Sequence, residues 1–292
     1  MHIAILAQPD SWYYRDLERA ARDRRHRCTR LDFSQLSGDV IDQREKVSGT
    51  LGSVPDTPEA VIVRTMPPGS LEQVVLRMDL LARWEACGTR VVNPPKSLEC
   101  AVDKYLTTVR LAAAEIPVPD TVACESVEQA LTAFSKFGGD VVVKPLFGGE
   151  GRGIVRVSDP NIAQRVFRTL ERIDAVLYVQ RYVDHGGSDV RVLVLGGRVL
   201  GGMRRIAQDG FRTNVSQSGH AESHSPNDRE CELALRAAEV TGAAFAGIDL
   251  LYDRDGQPFV IEVNAVPGWK AFARVNRIDV ADVFMRWLED SG

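Results

Sequence analysis

The chain has 292 residues, of which 44% are hydrophobic and 26% charged, and its formal net charge is −4. These values are typical of a soluble globular protein with two or three subdomains, and the mild acidity argues against nonspecific nucleic-acid binding as its main activity. Five scattered cysteines without a CxxC pair argue against a disulfide framework or zinc site, and the lack of a long apolar window or signal peptide predicts a cytoplasmic protein without a membrane span.

Apolar runs alternate with amphipathic segments over the first 93 residues. Strands are predicted at 2–7, 60–64 and 90–93, with one helix around Leu17 and another from the capping box of Ser70 and Gln73 to about Cys87. This alternation favours a small α/β domain, and no GxGxxG behind a strand marks it as a dinucleotide binder. Arginines line the first helix, where a solvated face is favoured over a polyanion site: Arg15, Arg19, Arg22 and Arg25.

A glycine-rich loop between two strands is the first segment that indicates chemistry. The elements before it are predicted as a helix capped by Ser97 that runs through Lys104 to about Ala114, a strand at 121–123 and a helix at 126–137. A strand then ends at Lys144, and residues 148–153 contain four glycines in six positions before the next strand. Such a loop favours a flap whose backbone N–H groups close over phosphates, with the Lys144 ammonium nearby; the alternative is a plain hairpin turn.

Arginines follow a predicted hairpin in the second half of the chain. The elements there are predicted as a helix at 161–173, a strand at 177–183, a hairpin of 189–195 and 198–203, a helix at 228–241, and a last helix capped by Asp279. Arg204, Arg205 and Arg212 come after the hairpin. Each alone is typical of a surface residue, but their clustering indicates a clamp for charge that develops in phosphoryl transfer.

A second hairpin is predicted over residues 247–264, where two apolar runs flank Asp255-Gly256. Counting outward from a two-residue turn places Asp249 opposite Glu262, with Asn264 on the same sheet face. These oxygen ligands suit Mg²⁺, which binds through one or two carboxylates plus substrate phosphates; the alternative is an ordinary amphipathic hairpin with both carboxylates in water. The opposite face is predicted to pack on the core and consists of Ile248, Leu250, Ile261 and Val263.

Short motifs occur in a characteristic order along the chain. They are Ala101-Val102-Asp103-Lys104, Val143-Lys144-Pro145, Val179-Gln180-Arg181-Tyr182-Val183, Asp189-Val190-Arg191, Phe211-Arg212-Thr213-Asn214, Ala246-Gly247-Ile248-Asp249 and Glu262-Val263-Asn264-Ala265-Val266-Pro267-Gly268. In this order they resemble the ATP-grasp superfamily over about residues 94–290, and most closely its RimK-like amino-acid ligases. The resemblance implies an α/β and α+β chain with the ATP-grasp fold and an N-terminal Rossmann-like pre-ATP-grasp domain. The implied domains are 1–93, a central subdomain with the flap at 94–183, and a C-terminal subdomain with the metal site at 184–292.

The resemblance also assigns roles by position. ATP would be bound by Lys104, Lys144, Gly149, Gly151, Gly153, Gln180, Arg181, Tyr182, Val183, Asp189, Arg212 and Asn214. Within this set, both lysines would contact the ATP phosphates. The backbone groups of Arg181 and Val183 would bind adenine, and Asp189 would bind ribose. Arg191, Arg205 and Arg212 would be catalytic, and Asp249, Glu262 and Asn264 would hold two Mg²⁺ or Mn²⁺ ions, with Glu262 bridging. The family commonly has Glu where this chain has Arg181, which puts a side-chain contact from that position in doubt.

The implied reaction is ATP-dependent amide formation through an acylphosphate. The expected partners are ATP, L-glutamate and a carboxylate-bearing small molecule, with a possible homo-oligomer. Two alternatives remain open: glutamylation of a ribosomal protein tail, with the arginine-lined first helix docking on RNA, and an inactive ATP-binding regulator. The segment 63–73 resembles RimK-like proteins of tetrahydromethanopterin metabolism, so Arg64 is expected to help bind a pterin carboxylate, unless it only caps a sheet edge.

Overall fold

A computed structural model describes residues 1–49, 58–149, 151–207 and 220–290. Arg212 and Asn214, for which the sequence predicts ATP contacts, lie outside these residues. Among the described helices, none is both long and apolar enough to cross a lipid bilayer.

The N-terminal part contains a four-stranded parallel sheet and a separate two-stranded hairpin. Its elements are β1 (His2–Leu6), α1 (Trp12–Asp23), β2 (Arg27–Leu31), a 3₁₀ turn (Phe33–Gln35), β3 (Leu36–Ile41), β4 (Arg44–Gly49), β5 (Ala60–Val63), α2 (Leu71–Ala86) and β6 (Arg90–Val92). The sheet order is β2-β1-β5-β6, and β1 and β5 are nearly continuous buried apolar runs, as expected when both faces are covered. The capping box of Ser70 and Gln73 forms as predicted.

The predicted helix through Lys104 is in fact two helices, α3 (Pro95–Val102) and α4 (Lys104–Ala113). Ser97 is not a cap, because α3 already begins with a proline at its first position and Ser97 is buried within it. Asp103 interrupts the helix in an extended conformation, and its carboxylate accepts a hydrogen bond from the Leu106 N–H at 3.0 Å. This cap makes Lys104 the first residue of α4.

The central part is an antiparallel sheet with two helices on one face. Its elements are β7 (Thr121–Cys124), α5 (Val127–Lys136), β8 (Val141–Lys144), β9 (Val155–Val157), α6 (Pro160–Glu171) and β10 (Leu177–Arg181), with strand order β7-β10-β8-β9. Val141, Val143 and Val179 pack in one core with Phe134 and Phe167 of the helices. Because side chains alternate along a strand, Lys144 and Gln180 point from the opposite face of this sheet.

The C-terminal part is a five-stranded antiparallel sheet. Its elements are β11 (Ser188–Leu195), β12 (Arg198–Ile206), β13 (His220–His224), α7 (Asp228–Thr241), β14 (Phe245–Tyr252), β15 (Pro258–Asn264), α8 (Lys270–Asn276) and α9 (Val280–Asp290), with strand order β13-β12-β11-β14-β15. One face packs on α7, where Val192 and Ile248 contact the core around Leu233. The polar residues of β11, β12, β14 and β15 discussed below lie on the other face.

The N-terminal and C-terminal sheets share apolar cores, whereas the central sheet has its own. Ile3 and Ile5 of β1 belong to the same cluster as Phe245 and Phe284. The arginines of α1 are mostly solvated, as expected, since Arg15, Arg22 and Arg25 are exposed. Arg19 differs from this expectation because it binds Asp279 at 2.8 Å and so joins α1 to the start of α9.

Candidate active site

The hairpin of β14 and β15 brings two carboxylates face to face. Asp249 and Glu262 are direct partners across the two strands, as the sequence predicted. The turn is nevertheless one residue longer than predicted, since the Asp253 N–H bonds the Gln257 carbonyl at 3.1 Å and leaves residues 254–256 as a three-residue loop. Gly256 takes the positive φ of +79° that such a loop requires.

A β-bulge beside Asp249 compensates for the longer turn. The pairing changes from Leu250 with Val260 to Asp249 with Glu262, so Ile261 is the extra residue on β15. The prediction that Ile261 packs in the core is therefore wrong, because the bulge shifts the side-chain alternation by one position. Val260 is buried in its place, and Ile261 lines the cleft beside the carboxylates.

Arginines of β11 and β12 hold the buried carboxylates of this sheet face. Arg191 donates from Nε and Nη2 to the two oxygens of Asp249, both at 2.6 Å. Arg205 binds Asp189 in the same bidentate way at 2.6 and 2.5 Å and reaches Asp249 at 2.8 Å. Burial opposes ionisation of Asp249, but the two guanidinium groups outweigh it and hold the pKa of Asp249 below its usual value.

Glu262 lacks this kind of compensation. Its carboxylate forms no hydrogen bond or ion pair with any residue that the structure describes. Its negative charge favours the charged forms of Lys104 and Lys144, but burial outweighs this effect on their pKa values. No group of three or more His, Cys, Asp or Glu side chains that could hold a metal occurs within the described ranges. The acidic part of the site is thus a pair of carboxylates. The arginines neutralise Asp249, and Glu262 is left available to bind a cation.

Two lysines face these carboxylates from the central part. Lys144 Nζ donates to Gln180 Oε1 at 2.7 Å, and burial lowers the pKa of Lys144 to about 8. Gln180 is oriented by hydrogen bonds from its Nε2 to Thr121 Oγ1 at 2.9 Å and Tyr178 Oη at 3.2 Å. Lys104 Nζ donates to the Gly148 carbonyl of the glycine loop at 2.7 Å, and burial also lowers the Lys104 pKa.

These groups line one cleft, which we call the lysine cleft and which measures about 780 Å³ including the part open to solvent. Its lining is Lys104, Pro119, Val142, Lys144, Gly151, Ile154, Gln180, Arg181, Tyr182, Val183, His185, Asp189, Arg205, Asp249, Leu251, Ile261 and Glu262. In the strand that crosses it, the N–H groups of Arg181 and Tyr182 already bond the carbonyls of Asp120 and Asp140. The Val183 N–H makes no hydrogen bond with the described residues and remains available to a ligand.

A second and larger cleft, the aromatic cleft, measures about 1880 Å³ with its open part. It is lined by Trp12, Tyr13, Arg64, Gly149, Arg191, Met203, Arg205, Glu262, Asn264, Val266, Gly268, Lys270, Ala271, Ala273 and Arg274. Arg205 and Glu262 line both clefts, and the glycine loop supplies Gly151 to one and Gly149 to the other. The two clefts therefore meet beside Glu262.

Comparison with known proteins gives the family. A family model for the RimK-like ATP-grasp domain matches residues 101–288. The chain belongs to the RimK-like ATP-grasp family. It is an ATP-grasp ligase, as the sequence resemblance implied. The tetrahydromethanopterin:alpha-L-glutamate ligase of Methanosarcina acetivorans is 30% identical, over 98% of this chain and 97% of that protein. A probable alpha-L-glutamate ligase of Mannheimia succiniciproducens is 29% identical, over 98% of this chain and 97% of its own.

Solved structures confirm the ATP-grasp fold. The ATP-grasp ligase PsnB, solved with a phosphomimetic variant of its minimal precursor, Mg and ADP, has a TM-score of 0.76 at 22% identity and covers 99% of this chain and 97% of its own. A RimK domain ATP-grasp protein from Sphaerobacter thermophilus has a TM-score of 0.73 at 23% identity and covers 98% of this chain and 99% of its own.

Most residues that the RimK-like resemblance assigned to ATP do line the lysine cleft, but two of them and one metal candidate are placed elsewhere. Gly153 packs against Pro145, where a Cβ would come within 2.8 Å of its ring, and Gly149 lines the aromatic cleft. Asn264 also faces the aromatic cleft, and its Oδ1 accepts the Val266 N–H at 2.9 Å. Asp189, assigned to ribose, is engaged by Arg205 in this structure.

Sequence reasoning missed several lining residues of the RimK-like site. His185 lies in the lysine cleft with Nδ1 3.1 Å from the Ser188 carbonyl oxygen, and Leu251 shares the sheet face of Asp249 two positions along β14. The alternation along the strand was a signal for Leu251. No local pattern could have brought Trp12 and Lys270 into one cleft, since they are far apart in the chain.

Proposed function

We propose that this ligase uses ATP and Mg²⁺ to join L-glutamate to a carboxylate of a small-molecule acceptor through an acylphosphate. The observation that carries the proposal is the meeting of the two clefts at Glu262 and Arg205. The lysine cleft offers a nucleotide two lysines and the Val183 N–H, which bonds none of the described residues. The aromatic cleft is open and lined by several cationic side chains. The named function of the Methanosarcina acetivorans relative supports glutamate as the amine and a tetrahydromethanopterin-type pterin as the acceptor.

The reaction would proceed in two displacements. An acceptor carboxylate oxygen attacks the γ-phosphorus of ATP, and the bond to the β,γ-bridging oxygen breaks to release ADP. The glutamate amine then attacks the acyl carbon, phosphate leaves with the C–O bond electrons, and the nitrogen loses a proton. Lys104 and Lys144 would hold the phosphates, and Arg205 would lie beside the transferred group where charge develops.

The donor set fits Mg²⁺. Two carboxylates, with no third acidic ligand within the described ranges, match an ion that completes its coordination with phosphates and water. Glu262 lies where the clefts meet, and none of the described residues pairs with its carboxylate. Mg²⁺ or Mn²⁺ bound there, as two ions, would neutralise phosphate charge during transfer. Asp249 Oδ1 accepts one hydrogen bond, from Arg191, and so keeps a lone pair for an ion, whereas Oδ2 is already engaged by both Arg191 and Arg205.

Mass spectrometry of an acceptor pool incubated with ATP, Mg²⁺ and glutamate tests the proposed function. We expect the mass of one or more glutamyl residues on a pterin-type acid, together with stoichiometric ADP release. Modification of a ribosomal protein tail alone would replace the small-molecule acceptor with a protein one. The absence of ADP release with any acid would favour the regulatory alternative.

The glycine flap is expected to become more ordered when nucleotide binds. Lys104 holds the Gly148 carbonyl, but Phe147 is 60% exposed, so no buried apolar side chain at that position secures the loop. Hydrogen exchange measured by mass spectrometry over residues 147–153 should slow on addition of ATP and Mg²⁺. Exchange that is unchanged by nucleotide, while peptides around Lys144 become protected, would contradict a flap that closes over phosphates.

Arg64 is proposed to bind the reacting acceptor. Arg64 directly follows β5, and its guanidinium lies in the aromatic cleft, 4.5 Å from the centroid of the Trp269 ring. Its Nη2 donates to the Pro267 carbonyl at 2.8 Å, and its buried Nε has no hydrogen-bond partner among the described residues. Arg64→Ala should raise the acceptor KM roughly tenfold or more, as for loss of a charged hydrogen bond, with the KM for ATP unchanged. An unchanged acceptor KM would remove Arg64 from acceptor binding.

A further inference from the structure

The aromatic cleft has a wall that the proposed ligase reaction does not use. Trp12, Tyr13 and Trp269 form an edge-to-face cluster, with centroid distances of 5.3 Å from Trp12 to Tyr13 and 4.8 Å from Tyr13 to Trp269. Tyr13 approaches so closely because position 268 is glycine, where a Cβ would come within 2.5 Å of the Tyr13 hydroxyl. Trp269 is buried, whereas Trp12 is 36% exposed and offers a ring to the cleft.

Cations lie on two sides of this aromatic cluster. Arg64 stacks on Tyr13 and Trp269, and Lys270 Nζ lies 5.6 Å from the Trp12 ring centroid. Arg274 is one helical turn after Lys270 and lines the same cleft. Like charges at this spacing destabilise a helix slightly, and neither forms an ion pair within the described part of the chain. An anion between them would remove that repulsion.

The other cationic side chains of the cleft are already paired with carboxylates. Arg191 and Arg205 are bound to Asp249 and Asp189, and Glu262 belongs to the reaction centre. This leaves Arg64, Lys270 and Arg274 as three cations without acidic partners among the described residues. Arg64 is half-buried near the reacting groups, while Lys270 and Arg274 are exposed beyond Trp12.

We propose that Trp12, Lys270 and Arg274 form a specificity subsite that binds the far end of the acceptor, and that the acceptor is a small molecule with a planar ring and a second anionic group. The subsite rests on the proposed function for its substrate. The ring would stack on Trp12, which supplies a flat apolar surface beside a cation. The second anion would lie between Lys270 and Arg274. The reacting carboxylate would pass Arg64 and lie at the junction of the two clefts, beside Glu262.

The test uses binding without ATP or glutamate, so that it does not depend on turnover. The probe is 4-aminobenzoyl-L-glutamate, a planar ring with two carboxylates, compared by calorimetry with N-(4-aminobenzoyl)-4-aminobutyrate, which has one. We expect the dicarboxylate to bind roughly threefold to tenfold more tightly, and Lys270→Gln and Arg274→Gln each to remove most of that difference. Trp12→Leu should weaken both probes. Arg198→Gln, which removes an exposed charge outside both clefts, should change neither.

Equal binding of the two probes, or Lys270 and Arg274 variants that bind like the wild type, would overturn the subsite. A peptide ending in glutamate that binds more tightly than both probes, and loses affinity in the same variants, would overturn the small-molecule class. If the protein still glutamylates an acceptor in these cases, the proposed function stands and only the subsite fails. If the subsite binds the dicarboxylate but no acceptor is glutamylated, the proposed glutamylation fails instead.

Discussion

Glu262→Gln is expected to fold like the wild type and to lose turnover by roughly two orders of magnitude or more, as for loss of a main electrostatic contribution to a transition state. Glu262 lines both clefts, and its carboxylate makes no hydrogen bond with the described residues. Glutamine has the shape of glutamate, so the substitution removes only the charge. No described residue loses a hydrogen-bond partner. ADP release at saturating Mg²⁺, together with a thermal unfolding curve, measures both parts of this expectation.

Two comparison variants make the Glu262 result specific. Glu239→Gln removes an exposed carboxylate far from the clefts and should leave turnover unchanged. Asp249→Asn should lose turnover too, but it should also lower the free energy of unfolding by roughly 3–5 kcal/mol, because it weakens a buried pair with Arg191 and Arg205. Near-normal ADP release by Glu262→Gln with Mg²⁺ would remove Glu262 from the proposed metal site.

The hairpin illustrates what local pattern can and cannot predict. The Asp-Gly signal predicted a two-residue turn, whereas the structure has a three-residue loop. The predicted pairing of Asp249 with Glu262 is nevertheless correct. The bulge at Ile261 restored the register, and neither feature has a strong sequence signature of its own. Because a shift of one residue exchanges the two faces of a strand, the same bulge moved Ile261 from the expected core to the cleft.

Helix capping decides the position of Lys104 in a similar way. The sequence predicted one helix from a Ser97 cap to about Ala114, but Asp103 caps the backbone and starts a new helix at Lys104. The pairing of arginines with carboxylates was beyond sequence reasoning altogether. Arg191, Arg205 and Asp249 meet only because β11 lies between β12 and β14, an order fixed by the tertiary structure.

The aromatic cleft was missed for the same reason, since its walls come from both ends of the chain. The apolar spacing around Leu17 predicted helix α1 but gave no sign that Trp12 and Tyr13 reach Trp269. Arg64 was proposed as an acceptor contact from the resemblance of segment 63–73 and its place after a strand, and the structure puts its guanidinium in this cleft. The carboxyl ends of parallel strands lie at one edge of the sheet, so the location of a residue there can be predicted. The location of a residue at the start of a helix depends on what the helix packs against.

Lys144→Met is expected to weaken ATP binding roughly tenfold to a hundredfold, as for loss of a charged hydrogen bond to phosphate. The same residue should make ATP binding depend on pH. Burial lowers the pKa of Lys144 to about 8 in the free protein, so its ammonium is present below that pH and is lost as the pH rises through it. Bound phosphate favours the charged form, so the Kd for ATP in Mg²⁺ should rise with pH above about 8.

Calorimetric titration with ATP and Mg²⁺ across this pH range, in the absence of acceptor, separates the lysines. Lys144→Met should bind weakly at every pH and lose most of the rise in Kd, whereas Lys144→Arg keeps its charge throughout and should show a flat Kd. Lys104→Met is the matched control, because it removes the neighbouring lysine, whose pKa burial also lowers, and leaves Lys144 to titrate. If the Kd of Lys144→Met rises with pH as steeply as that of the wild type, the titrating group is not Lys144, and the phosphate contact assigned to it is wrong.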